Sequence, residues 1–167
     1  PPTRAEAMER INTLCGEAIA AGERALIGFD FPFGYPQGAA KRLAGQPGWP
    51  ALWAFFAREI EDDDDNRSNR YALADRLNRD VFGAPLYWGR PHQHDYAHLP
   101  MKRAPSALRD RMALRHAEAA HPPAKSVWQL AYNGAVGSQA MLGIARLERL
   151  RRRFAEKIAV WPFETLV

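Results

Sequence analysis

The sequence predicts an α/β domain, a mixed sheet with flanking helices, on three observations. Two short apolar runs rich in β-formers, 25–30 and 158–163, stand apart from stretches whose apolar residues recur at helical spacing. Each run delivers a carboxylate, Asp30 or Glu164, at its carboxyl end. With 167 residues, 47% hydrophobic and 25% charged, the chain is long enough to bury one core.

The elements follow in order. Thr3 is placed to cap a first helix with Glu6 as its capping-box partner; Ala7, Ile11, Leu14, Ala18 and Ile19 share a face, and Gly22 stops it. The strand 25–30 comes next and ends where Pro32 and Pro36 cannot donate to a ladder. Trp49, Leu52, Trp53, Phe56 and Ile60 have helical spacing, as do Tyr71, Leu73, Ala74, Leu77 and Val81 within 69–82. Between them Glu61 to Asn66 is an acid run, expected as a solvated turn because adjacent carboxylates repel wherever water is excluded.

Residues 83–105 hold six prolines or glycines and read as a long loop. A helix is expected over 106–120 with Ser106 as its cap, and Pro122-Pro123 break the chain. Val127 to Tyr132 fits either strand or helix. From Ser138 to about Lys157, Met141, Ile144, Leu147, Leu150 and Phe154 keep a helical period with Arg149, Arg152 and Arg153 on the wet side. A strand 158–163 closes the sequence. Both termini read as cut ends of a longer chain, since it opens Pro-Pro-Thr and stops straight after that strand.

Composition narrows the function classes. No segment approaches the roughly 18 uninterrupted apolar residues of a membrane span, which excludes a transmembrane role, and Cys15 is the sole cysteine, so there is no internal disulfide or cysteine zinc cluster. A cytoplasmic setting is the expectation. The net charge of +4 is uneven: residues 1–99 carry 11 Lys and Arg against 14 Asp and Glu, and residues 100–167 carry 12 against 5. A basic half suits a phosphate-bearing small molecule or nucleic acid, although Arg146, Arg149 and Arg151 to Arg153 read more simply as the wet face of a helix.

Chemistry-bearing residues group in four places. Asp30 and Glu164 would meet at one sheet edge if their strands ran parallel, and carboxylates gathered there hold Mg²⁺ for phosphoryl displacement; the plainer alternative is that Asp30 caps a turn and Glu164 is surface. Gly134-Ala-Val-Gly-Ser-Gln139 precedes the long helix, so Gly137 and Ser138 could offer N–H groups to a phosphate with Lys125 assisting, or Ser138 simply caps that helix. Arg70 can clamp a phosphate bidentately or pair with one of Asp62 to Asp65. His92, His94, Asp95 and His98 lie close in one loop, but their order departs from metallohydrolase spacing.

The blocks Ile27-Gly-Phe-Asp-Phe-Pro-Phe-Gly34, Asn69-Arg-Tyr71, Pro85-Leu-Tyr-Trp-Gly-Arg90, Lys125-Ser-Val-Trp-Gln-Leu130, Gly137-Ser-Gln139 and Trp161-Pro-Phe-Glu-Thr165 span most of the chain. They resemble an uncharacterised bacterial subset of the DUF429-type families. The resemblance implies a ribonuclease H-like fold and metal-assisted chemistry on, or binding of, a nucleotide or nucleic acid, with Asp30 and Glu164 as catalytic metal ligands. Sequences of this look usually begin with a further strand bearing Asp-Trp-Ser, a block this chain lacks. Some are labelled as taking part in molybdopterin-guanine dinucleotide synthesis, which implies the alternative of a non-catalytic cofactor- or partner-binding module.

Overall fold

Thr3 opens the first helix as its sequence position requires: its Oγ1 accepts the Glu6 N–H at 3.2 Å, and helix α1 runs Arg4–Ala21. Gly22 ends it at φ 68°, where a side chain would be strained, and the Glu23 N–H returns to the Ala18 carbonyl at 2.9 Å. The computed structural model describes residues 2–105 and 107–164. Further along come α2 (Ala39–Ala44), α3 (Trp49–Glu59), and α4 (Arg70–Leu77), which runs on into a π-helical turn at Asn78–Phe82. Short helices α5 (Ala107–Met112) and α6 (His116–Ala120) precede the long α7 (Gly137–Phe154).

The core forms where α3 crosses α7. Trp53, Phe56, Ala140, Met141, Ile144 and Ala145 are fully enclosed there, which is what the 3.6-residue apolar period of both segments asks for. Trp53 also fixes the chain before α2, since its Nε1–H donates to the Phe33 carbonyl at 2.8 Å. A second enclosed layer holds Tyr87, Leu86, Val127 and Trp128. Buried Asn78 ties it together: its Nδ2 donates to the carbonyls of Tyr87 and His98 (2.9 and 2.8 Å), and its Oδ1 accepts the Tyr87 N–H at 2.8 Å.

The expected sheet is absent among the described residues, and with it the ribonuclease H-like α/β architecture. The described residues are 49% helical with 2% in strand, and their β structure amounts to two isolated bridges, Asp62 with Ser68 and Trp88 with Gln129. Physical reasons differ for the two expected strands. Residues 24–29 take no regular secondary structure, the chain bends at Asp30 and Phe31, and no neighbouring strand is there to pair with, since a ladder needs two. Residues 158–163 spend their backbone locally: the N–H groups of Phe163 and Glu164 both return to the Val160 carbonyl at 2.8 and 2.9 Å, making a turn.

Other corrections are smaller. The helix expected over 106–120 is two pieces, and the cap assigned to Ser106 lies outside the described residues. Helix α7 stops at Phe154, and Ala155–Lys157 tightens to 3₁₀. The acid run is not uniformly solvated. The side chain of Asp62 is excluded from solvent, held by Arg4 Nη2 and Arg146 Nε, each at 2.5 Å. Arg146 is thus a structural partner with little exposure and not part of a wet face, while Arg149, Arg152 and Arg153 are exposed as expected.

Candidate functional site

A groove of about 1460 Å³ opens on the surface. One wall is 23–37, the other 157–163, and the floor is built from Cys15 and Ile19 of α1 with Leu147 and Leu150 of α7. Alternation along the first wall explains its shape. Phe29, Phe31 and Phe33 point to one side, with ring centroids 5.5–6.3 Å apart, and pack partly against the core. Phe31 settles over Gly143, where a Cβ would lie 2.2 Å from its ring, so the bare α7 backbone at that position makes the seat.

Leu26, by contrast, is 96% exposed and Ile27 stands at 36%. Among the described residues no hydrogen bond reaches the backbone of 24–32; the first is the Trp53 donation to the Phe33 carbonyl. An apolar segment whose backbone N–H and C=O groups meet no protein partner offers those groups to an added strand, as an unpaired sheet edge does.

The second wall is stiffened by aromatic contacts. Phe163 stacks on Trp49 at 5.2 Å and 12°, and the Arg151 guanidinium lies 5.4 Å from the Trp49 ring centre. At the inner end Tyr35 packs on Trp128 (4.9 Å) and Phe56 (5.2 Å). Burial pushes the ionisation of the Tyr35 and Tyr87 phenols well above the usual tyrosine range. The two hydroxyls are near enough to perturb one another, yet neither makes a well-aligned hydrogen bond. Charge in the groove leans positive, with Arg24, Arg115, Arg151 and Lys157 against Glu23 and Asp30.

The residues expected from sequence fall in three places. Asp30 is exposed on the groove and, among the described residues, makes no ion pair or hydrogen bond. Glu164 closes the turn at 160–164: its Oε2 accepts the Val160 N–H at 3.0 Å and its Oε1 stands 3.9 Å from Arg151 Nη1. Among the described residues no strands run side by side to bring these two carboxylates to one sheet edge. No group of three His, Cys, Asp or Glu side chains able to hold a metal occurs among the described residues, so nothing there supports the expected metal-binding site. The His92 to His98 loop gathers no such group either; His94 instead packs on Tyr71 at 5.3 Å.

Arg70 and Ser138 do come together, but as structure. Arg70 Nε donates to Ser138 Oγ at 3.2 Å and Nη1 to Ser68 Oγ at 2.6 Å, and the guanidinium lies 4.4 Å from the Tyr71 ring centre. Ser138 Oγ in turn donates to the Leu130 carbonyl at 2.7 Å. The Gly137 N–H is taken by the Gln129 carbonyl at 2.9 Å, and a Cβ there would meet the carbonyls of Val127 and Gln129 at 2.4 and 2.5 Å. This glycine therefore serves close packing of the α7 start. Lys125 is exposed, with its stem laid over Gly134.

Leu26 and Ile27, expected inside a sheet, are instead exposed on the groove. The signal was present in the same residues, because an apolar run that finds no strand to pair with must show its edge. Comparison with protein-family models, curated proteins and solved structures finds no match to this chain. No helix among the described residues is long and apolar enough to cross a membrane.

Proposed function

We propose that the protein is a partner-binding module that takes an extended polypeptide segment along residues 24–30, at the groove between 23–37 and 157–163. The observation that carries this reading is the unpaired backbone of an apolar segment whose Leu26 is 96% exposed. Added strands recognise such edges through main-chain hydrogen bonds, and alternate side chains find pockets. The groove floor supplies the apolar surface for those side chains, and the aromatic stack of Trp49 and Phe163 holds the opposite wall in place.

Amide hydrogen exchange tests it. Dilute protein, at about 1 µM so that self-contact is negligible, is mixed with a synthetic peptide of alternating Thr and Val or with a nucleotide panel. The peptide is expected to slow exchange at the amides of 25–29 and to leave α3 and α7 unchanged. Protection by a nucleotide and not by the peptide overturns the reading in favour of a phosphate-bearing ligand, and protection by neither overturns it outright.

A further inference from the structure

The seven-residue edge has a feature that selects its occupant. Arg24 opens it and Asp30 closes it, both exposed and both without an ion pair among the described residues. Once paired as a strand, successive side chains of this segment would alternate between faces, with Arg24, Leu26, Gly28 and Asp30 on one face and Ala25, Ile27 and Phe29 on the other. On the first face Leu26 is 96% exposed, and nothing lies within 4 Å of where a Cβ on Gly28 would stand.

From this charge and size pattern we infer that the occupant is a second copy of the chain, paired antiparallel through residues 24–30 about Ile27. This inference rests on the reading of that edge as a polypeptide-binding one. In this register Arg24 lies opposite the partner's Asp30 and Asp30 opposite the partner's Arg24, so both ends close on unlike charges. Leu26 lies opposite the partner's Gly28, whose missing side chain leaves room for it, and the same contact recurs by symmetry. Ile27 meets the partner's Ile27 on the opposite face. A parallel, in-register copy would set Arg24 against the partner's Arg24 and Asp30 against the partner's Asp30, two repulsive contacts. The sequence pattern therefore favours one direction and one register.

Sedimentation velocity on the full chain from about 1 to 500 µM, the range suited to a small interface, reads the association. Wild type is expected to dimerise, with slower exchange at 25–29 as concentration rises. Arg24→Asp and Asp30→Arg each place like charges at both ends, and each is expected to weaken the dimer about tenfold. The double variant carrying both changes restores unlike pairs and should return to within about threefold of wild type. Both positions are exposed, and circular dichroism confirms that each variant keeps its helices. A wild type that stays monomeric while the Thr/Val peptide still protects 25–29 overturns the second copy and leaves the binding reading standing. A dimer indifferent to the reversals, or not rescued by the double change, overturns the register and with it the inference. Absence of both dimer and peptide protection removes both.

Discussion

Asp62 and Arg146, 84 residues apart, meet at 2.5 Å with the carboxylate wholly removed from solvent. Arg4 closes the same carboxylate from the other side and also donates through Nη2 to the Asn66 carbonyl at 2.7 Å. Three distant parts of the chain, the start of α1, the turn before α4 and the middle of α7, are thus joined on one side chain.

Removing that carboxylate leaves two guanidinium groups facing a gap. Asp62→Ala is expected to cost about 2–4 kcal/mol of unfolding free energy, at the lower side of a buried ion pair because Arg4 remains partly solvated. Urea denaturation followed by circular dichroism measures it. A loss under about 0.5 kcal/mol would return Asp62 to the ordinary surface class.

The same carboxylate sets an acid limit. Burial alone would raise its ionisation, but hydrogen bonds from Arg4 and Arg146 outweigh burial and hold it below the usual aspartate range; Glu59 is lowered likewise, chiefly by Arg76. A depressed carboxylate contributes stability that is complete above its unfolded value and is lost as pH falls through its folded value. Stability should therefore decline below about pH 4. Asp62→Asn should flatten that decline in a melting series from about pH 2 to 6.

Asn78 satisfies both sides of the Tyr87 peptide from within the core. Asn78→Ala strands a buried N–H and two carbonyls, so a loss of about 3 kcal/mol is expected in chemical denaturation. Tyr87→Phe removes a hydroxyl that has no well-aligned partner and should change stability by less than about 1 kcal/mol.

Gly137→Ala must push a methyl group against the Val127 and Gln129 carbonyls. Neither is a flexible side-chain tip, so the start of α7 has to shift. Thermal unfolding should show about 2–3 kcal/mol of destabilisation, in spite of alanine's better helix propensity. An unchanged melting temperature would mean the 127–129 segment yields freely.

Of the five tyrosines in the chain, Tyr35 and Tyr87 are held protonated by burial. An ultraviolet titration should leave two phenols un-ionised until the protein unfolds in alkali. A single smooth transition near pH 10, the ordinary tyrosine value, would contradict the enclosed pair.

What the sequence shows well is local. Thr3, Gly22 and the apolar periods at 49–60 and 138–154 encode their helices within a few turns, and the structure follows them. Pairing of strands is not local, so β-formers at 25–30 look the same whether or not a neighbour exists. The turn at 160–164 was hidden for a different reason: Glu164 was read for its charge when its geometry makes it a backbone acceptor for Val160. Asp62 looked solvated because its neighbours in sequence are acids, whereas its neighbours in space are Arg4 and Arg146. Asp30 lies exposed on the groove, but the strand end expected to present it does not form.

In a single copy, the stretch after Gly22 is also a natural place for a protease to enter, since cleavage requires an open backbone and Arg24 stands in one. A cut there would sever α1 covalently from everything that follows. It would not release it, because Arg4 remains clamped on Asp62, the Asn66 side chain still accepts the Arg4 N–H at 2.8 Å, and Cys15 stays in the core cluster. The first helix is thereby a potentially separable fragment, retained by complementation and not by the peptide bond, so an intact mass on a native column and two bands on a denaturing gel are compatible states of one molecule.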